Sequence, residues 1–256
     1  MVRATKGDIL GLEEISFKKV RISDQVEGIL KELVLKRNAG DKIPSEDEIS
    51  RQLSVSKVTV REALGHLEAQ GLIERRRGVY GGTFVAEPTS GKMSEIIMNY
   101  YCMGNVSPEH LVEFRFTLEP TLAMLAAERI TDSEMDGLKK IIDAIKAGLD
   151  EARTAEDRRS CRAKALEFHA LVADACHNPL FSHLMRAMTD VFEKVLNQVP
   201  LLDPEIGRYD LEHCRQVYEA FERRDRARAY NLMAKHFDKL KQYIAGIDRV
   251  APTEYE

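Results

Sequence analysis

The residues best suited to chemistry lie in one short run, Ser56-Lys57-Val58-Thr59-Val60-Arg61. Lys57 and Arg61 are four apart, so on a helix they share a face. Ser56 and Thr59 fall beside them in the first turn and a half, the part of a recognition helix that enters the major groove of DNA. Arg61 can fork onto a guanine edge or a phosphate, and Lys57 can do the same as a point charge. A second basic run, Arg75-Arg76-Arg77, leads into Gly78, where a missing Cβ lets backbone approach a phosphate or a groove wall. Either run alone would pass as a solvated face. Their order along the chain is what points to nucleic acid.

Such residues need elements to hold them. Val26, Ile29, Leu30 and Leu33 have one-face spacing and predict a helix over 22–36, ending near Asn38-Ala39-Gly40. Ser45-x-x-Glu48, after Pro44, is a capping box that opens a short helix through Leu53. Ser56 then caps a third helix, with Val60, Ala63, Leu64 and Leu67 as its buried stripe and Gly71 as its stop. Leu72–Arg77 and Thr83–Val85 read as strands of a hairpin joined through Gly78, Gly81 and Gly82. This is a winged helix-turn-helix over 18–87, preceded by a flexible arm, 1–17.

The best linker is the Pro, Ser and Gly stretch around 88–93. Beyond it no strand pattern stands out. Ser107-Pro108 and Asn178-Pro179 each pair an N-cap with proline in the first turn, Thr131-x-x-Glu134 is a capping box, and Asp225 follows a charged turn. Six or seven helices are expected over 94–247, with 248–256 as a tail. The expected fold is mainly α, a winged helix-turn-helix followed by an all-α bundle.

Composition limits the alternatives. The 256 residues are 44% hydrophobic and 31% charged, enough for a real core and against wholesale disorder. The net charge of −4 is uneven: residues 1–87 carry 15 basic and 14 acidic groups, residues 88–256 carry 23 and 28. Within 51–80 six basic groups face three acidic ones, a local excess compatible with DNA. No uncharged apolar run approaches ~18 residues, and no apolar signal core opens the chain, so neither a membrane span nor export is expected. Cys102, Cys161, Cys176 and Cys214 show no CxxC spacing, which fits free thiols in a reducing cytoplasm. No nucleophile and base have convincing spacing, which argues against an enzyme.

Residues 40–85 resemble the DNA-binding domain of GntR-type bacterial transcription regulators. The shared landmarks are Pro44-Ser45-Glu46, Val55-Ser56, Val60-Arg61-Glu62-Ala63-Leu64, Leu67, Gly71-Leu72 and Gly82-Thr83-Phe84-Val85. The resemblance implies binding to double-stranded operator DNA, with Ser45, Ser56, Lys57, Thr59, Arg61, Arg77 and Gly78 as candidate contacts. Two positions depart from the pattern: Asp47 stands where a basic residue is frequent, and Lys57 where arginine is commoner. The second half is similar to the FadR-like (FCD) effector domain. Leu111-x-x-x-Arg115-x-x-Leu118-Glu119, Glu167-Phe168-His169, Asn178-Pro179-Leu180 and Ala220…Asp225…Ala229…Met233-x-x-His236 carry that likeness.

Many FCD domains hold a divalent metal, such as Zn, Ni or Mn, through one Asp and three His. Carried over residue by residue, His169 and His236 fall on two histidine positions. The carboxylate position, four before His169, is Ala165. An ungapped count puts the third histidine position at Cys214, with His213 next door and about 100° round the helix. Three readings stay open: polar residues satisfied by their neighbours, a remodelled metal site of His169 and His236 with Cys214 or His213, and a metal-free pocket. In the last, Arg115, His169 and His236, with Cys214 beside them, contact an anionic effector. The expectation is a homodimeric, ligand-responsive regulator of a near-palindromic operator, answering to a small organic acid or an acyl-CoA-type effector and binding metal weakly or not at all. The alternatives are a helical metal-dependent hydrolase tethered to DNA and an effector-independent DNA-binding protein.

Overall fold

A computed structural model of the chain describes residues 21–104, 106–197 and 204–244. The expected arm, 1–17, and tail, 248–256, lie outside these residues. The chain forms two compact units, Met1–Pro88 and Thr89–Glu256.

The first unit contains α1 (Ile22–Leu35), α2 (Glu46–Leu53), α3 (Lys57–Ala69), β1 (Ile73–Arg76) and β2 (Gly82–Val85). The capping box forms as expected: Ser45 Oγ accepts from the Glu48 amide at 3.3 Å, and Glu48 Oε2 accepts from the Ser45 amide at 2.8 Å. Ser54 adopts a left-handed φ of 51° and turns the chain from α2 towards Ser56. Ser56 Oγ then caps α3 by accepting from the Thr59 amide at 3.1 Å. At the other end Gly71, φ 71°, closes α3. Its amide donates to Glu68 O and that of Leu72 to Leu67 O, so two end carbonyls are satisfied. The strands pair antiparallel, Ile73 opposite Val85 and Arg76 opposite Gly82. Val26, Leu30, Val60, Ala63, Leu64, Leu67, Ile73 and Val85 share one core, which fixes α3 with its basic side outward.

The second unit is a helical bundle: α4 (Ser90–Cys102), α5 (Pro108–Arg129), α6 (Asp132–Glu151), α7 (Ala155–Asp174), α8 (Pro179–Asn197), α9 (Pro204–Glu222) and α10 (Arg226–Ile244). Ser107, Thr131 and Thr154 each begin a helix with a reciprocal capping box. No strand lies in this unit among the described residues. α5 packs chiefly on α10, α6 on α7, and α4 on α8. Phe168, Val191, Phe192, Val217, Phe221, Met233 and Phe237 fill the shared core. None of the described helices is long and apolar enough to cross a membrane.

The linker expected over 88–93 is shorter in the structure, because α4 begins at Ser90. Gly91 disfavours a helix by only about 0.5–1 kcal/mol relative to Ala. Against that, α4 buries Ser94, Met98 and Tyr101, and Ser94 Oγ donates to Asp190 Oδ2 on α8 at 2.8 Å. Tertiary packing overrides the local breaker signal.

Candidate functional site

The DNA-reading candidates collect on one face of the first unit. Ser56 at the N-cap of α3 and Lys57 and Arg61 on it are exposed, as are Ser45 ahead of α2 and Arg77 and Gly78 at the wing; Thr59 is half-buried. Ser45 and Ser56 spend their side chains as helix caps, so their first task is to set the entry angle of α2 and α3. The two cations of α3 are already engaged. Lys57 Nζ lies 2.7 Å from Asp47 Oδ1, and Arg61 Nε donates to Glu46 Oε2 at 2.7 Å. The hydrogen bond from Lys57 and then its charge hold the Asp47 carboxyl below its ordinary range. The departure Asp47 therefore sits against the departure Lys57.

The wing repeats this pattern. Arg75 pairs with Glu68 at 2.9 Å, and Arg76 pairs with Glu74 and lies over the Phe84 ring at 4.5 Å. Among the described residues Arg77 has no acidic partner. At Gly81 a Cβ would sit 2.5 Å from Arg76 O, so only glycine allows this turn. A groove of about 620 Å³ between wing and helices is lined by Lys42, Ser45, Arg75, Arg76 and Arg77 among others. Three apolar side chains at this face escaped the sequence reading: Val58 on α3, 70% exposed, and Val79 and Tyr80 at the wing tip. An exposed valine beside Lys57 is suited to a thymine methyl group.

The second site is buried in the bundle. His169 (α7), His213 (α9) and His236 (α10) each present a nitrogen, and these atoms lie within 4.8 Å of one another. The rings of His213 and His236 stack at 4.0 Å, and His169 lies 5.2 Å from His236. The third partner is thus His213. The ungapped count to Cys214 is corrected: Cys214 is outside this cluster and packs in the apolar core, where burial raises its thiol well above the ordinary range. One step of 100° along α9 separates the two roles.

Beneath the histidines is a carboxylate that the sequence reading gave no role. Glu119 on α5 is bonded by Arg115 Nε through Oε1 and lies 2.5 Å from His169 Nδ1 through Oε2. Arg115 is 1% exposed, with its guanidinium 4.6 Å from the Phe192 ring and 5.3 Å from that of Phe237. Burial would raise the Glu119 carboxyl, but the charge of Arg115 and then of His169 bring it down to about 2. Burial pushes His213 down to about 3 and His236 well below its ordinary value, helped by neighbouring cationic groups. Arg115 Nη2, His213 Nε2 and His236 Nδ1 are buried with no hydrogen-bond partner among the described residues. Buried polar atoms rarely stay unsatisfied, so three in one cluster make it a candidate ligand site.

Profile comparison matches residues 22–85 to the bacterial regulatory proteins of the gntR family and residues 110–239 to the FCD domain. The chain belongs to the GntR family. Its family and relatives are transcriptional regulators, not enzymes. The HTH-type transcriptional regulator LutR of Bacillus subtilis is 30% identical over 213 residues, 81% of this chain and 93% of LutR. The B. subtilis regulator YcbG is 26% identical over 239 residues, 91% of this chain and 96% of YcbG. Among solved structures, a GntR protein of Streptococcus agalactiae shares the fold, with a TM-score of 0.65 at 24% identity over 87% of this chain and all of that one.

Two expectations follow for this GntR protein. Asp47→Asn removes a negative charge from the reading face and frees Lys57. Its binding to specific and scrambled duplexes alike should tighten, since Lys57 no longer has to leave a carboxylate before it meets a phosphate. Fluorescence anisotropy at two salt concentrations measures this, and unchanged affinity would show that the Asp47–Lys57 pair does not oppose DNA binding. The second concerns pH. His213 and His236 are neutral when folded but gain protons in the unfolded chain as pH falls through about 6.5. The unfolded state then binds more protons, so stability is full above about pH 6.5 and declines as pH falls towards about 4.5, before Glu119 adds its own loss. The melting temperature of EDTA-treated protein should drop over that window, and His213→Gln should flatten the drop.

Proposed function

We propose that the protein binds a near-palindromic operator as a homodimer and that a small organic anion held in the FCD bundle modulates its DNA affinity. The observation that carries this reading is the coexistence of a capped, outward-facing recognition helix with a buried cluster of unpartnered polar atoms. The first reads DNA; the second needs a ligand. Every charged or imidazole side chain of the cluster is at most 6% exposed, which favours a small carboxylate over an acyl-CoA.

The cluster also suits a divalent cation. Neutral imidazoles at His213 and His236 offer the ring nitrogens left orphaned in the structure. His169 is held at Nδ1 by Glu119, which leaves Nε2 as its ligand atom; a carboxylate behind a histidine fixes tautomer and ring direction in such sites. When bound, a cation there would supply a positive anchor for an anionic effector, with Zn, Ni or Mn compatible with nitrogen ligands. Arg115 supplies the second anchor through Nη2. A metal-dependent hydrolase is the weaker reading, since the regulator family accounts for both units.

Self-association has a candidate seat on α4. Ile96, Tyr100 and Met103 follow one another at four- and three-residue steps and are all more than half exposed, an apolar row that a second copy of this chain would cover. Ile96→Asp with Tyr100→Asp should halve the mass seen by light scattering and weaken operator binding; an unchanged dimer would place the seat elsewhere.

The reading head has its own test. Arg61→Ala should cost about 1–3 kcal/mol on the operator and relax specificity at one base pair. Lys57→Ala should weaken binding to every duplex and flatten the salt dependence by about one charge. Operator and scrambled duplexes titrated in parallel separate the two effects, and two variants that bind like wild type would remove α3 from the groove.

A further inference from the structure

We propose that Val79 and Tyr80 at the wing tip form an apolar wedge that parts a base step of the DNA, so that the wing selects sequences by how easily they deform. This wedge rests on the DNA-binding reading of the first unit given above, and adds readout of shape to readout of base edges. Gly78 O accepts from the Gly81 amide at 2.8 Å, which closes a four-residue turn with Val79 and Tyr80 at its centre. Gly, Pro, Asn, Asp and Ser dominate turns because each favours the turn itself. A β-branched and an aromatic side chain do nothing for it, and neither is packed on the protein: Val79 is 97% exposed and Tyr80 93%.

The tip that carries them is held in place from below. Lys42 Nζ donates to Gly81 O at 2.9 Å and lies 5.6 Å from the centre of the Phe84 ring. Its backbone bridges to Phe84, and its carbonyl accepts from Arg37 Nη1 at 3.2 Å. Gly82, φ 149°, makes room for this side chain, since a Cβ there would sit 2.5 Å from Lys42 Cε. A contact preset in this way loses less freedom on binding than a loose one.

Charge selects the partner. Arg75, Arg76 and Arg77 lead into the tip and Lys42 stands at its base, so an apolar point is backed by four cations. Stacked bases between two rows of phosphate are the matching surface. Arg75 pairs with Glu68 of α3 at 2.9 Å, so a recognition helix in the major groove carries the wing to the flanking minor groove. That groove is about 6 Å wide, narrow enough to favour a slim turn bounded by glycines. Apolar side chains inserted there unstack a base step and kink the duplex. Pyrimidine–purine steps, TA among them, yield most readily, whereas A-tracts are stiff.

The test uses the full chain at low salt with two duplexes of pure A·T composition, one alternating and one of dA paired with dT throughout. Both show the minor groove the same acceptors, but only the first contains TA steps. Tyr80→Ala should lower the preference for the alternating duplex, the ratio of the two affinities, by at least about fivefold, and Tyr80→Phe should keep it. Because α3 is the same in all three proteins, any preference arising in the major groove cancels in the comparison. The sequence contains no tryptophan, so Tyr80→Trp places a single indole at the tip. Its emission should be quenched on the alternating duplex by stacking on bases, and shielded there from iodide. A ratio unchanged by Tyr80→Ala, or an indole still bright at saturating duplex, overturns the wedge while leaving DNA binding intact. No anisotropy change of either labelled duplex with wild-type protein overturns the DNA-binding reading as well.

Discussion

The bundle is organised around one buried ionic contact, in which the Glu119 carboxylate is shared between Arg115 and His169. A carboxylate and a guanidinium each lose their hydration on entering the core, and their attraction repays this only when geometry and further hydrogen bonds are good. Here i,i+4 spacing on α5 presents Arg115 and Glu119 to one face, and α7 brings His169 onto the remaining oxygen. Phe192 from α8 and Phe237 from α10 lie against the guanidinium. Four helices thus meet at one charge pair. Losing one partner of such a pair leaves the other buried and uncompensated, at about 3–5 kcal/mol, so the contact also fixes which faces of α5, α7 and α10 turn inward.

That contact determines what the histidines can do. His169 is oriented from behind by a carboxylate, while His213 and His236 stack with no partner for one nitrogen each. Leaving several buried polar atoms unsatisfied opposes folding by about 1–3 kcal/mol apiece. On the proposed reading a ligand bound there would restore that stability by mass action. On the first unit the cations of α3 show a milder version of the same rule: Lys57 is held by Asp47 and Arg61 by Glu46, and in the proposed complex DNA would have to displace these partners.

Much of this was legible in the sequence, for local reasons. The capping boxes at Ser45 and Thr131, the Gly71 stop and the stripe from Val60 to Leu67 are short-range signals, and each forms in the structure. The start of α4 was not legible, because its helix depends on packing against α8, whereas Pro88, Ser90 and Gly91 speak only for a linker. His213 was separable from Cys214 only by the phase of α9, which an ungapped count cannot supply. Glu119 lies 50 residues from His169, so no spacing rule joins them. The Asp47–Lys57 pair shows as two unusual residues in sequence and as one interaction in space.

The most direct test of the account is the protonation pattern of the His169 ring, read from long-range nitrogen couplings in protein labelled at histidine and stripped of metal. A Glu119 carboxylate facing Nδ1 predicts the proton on Nδ1 and a bare Nε2, the form that can accept a cation. A proton on Nε2 with Nδ1 bare would contradict the arrangement on which the ligand site depends.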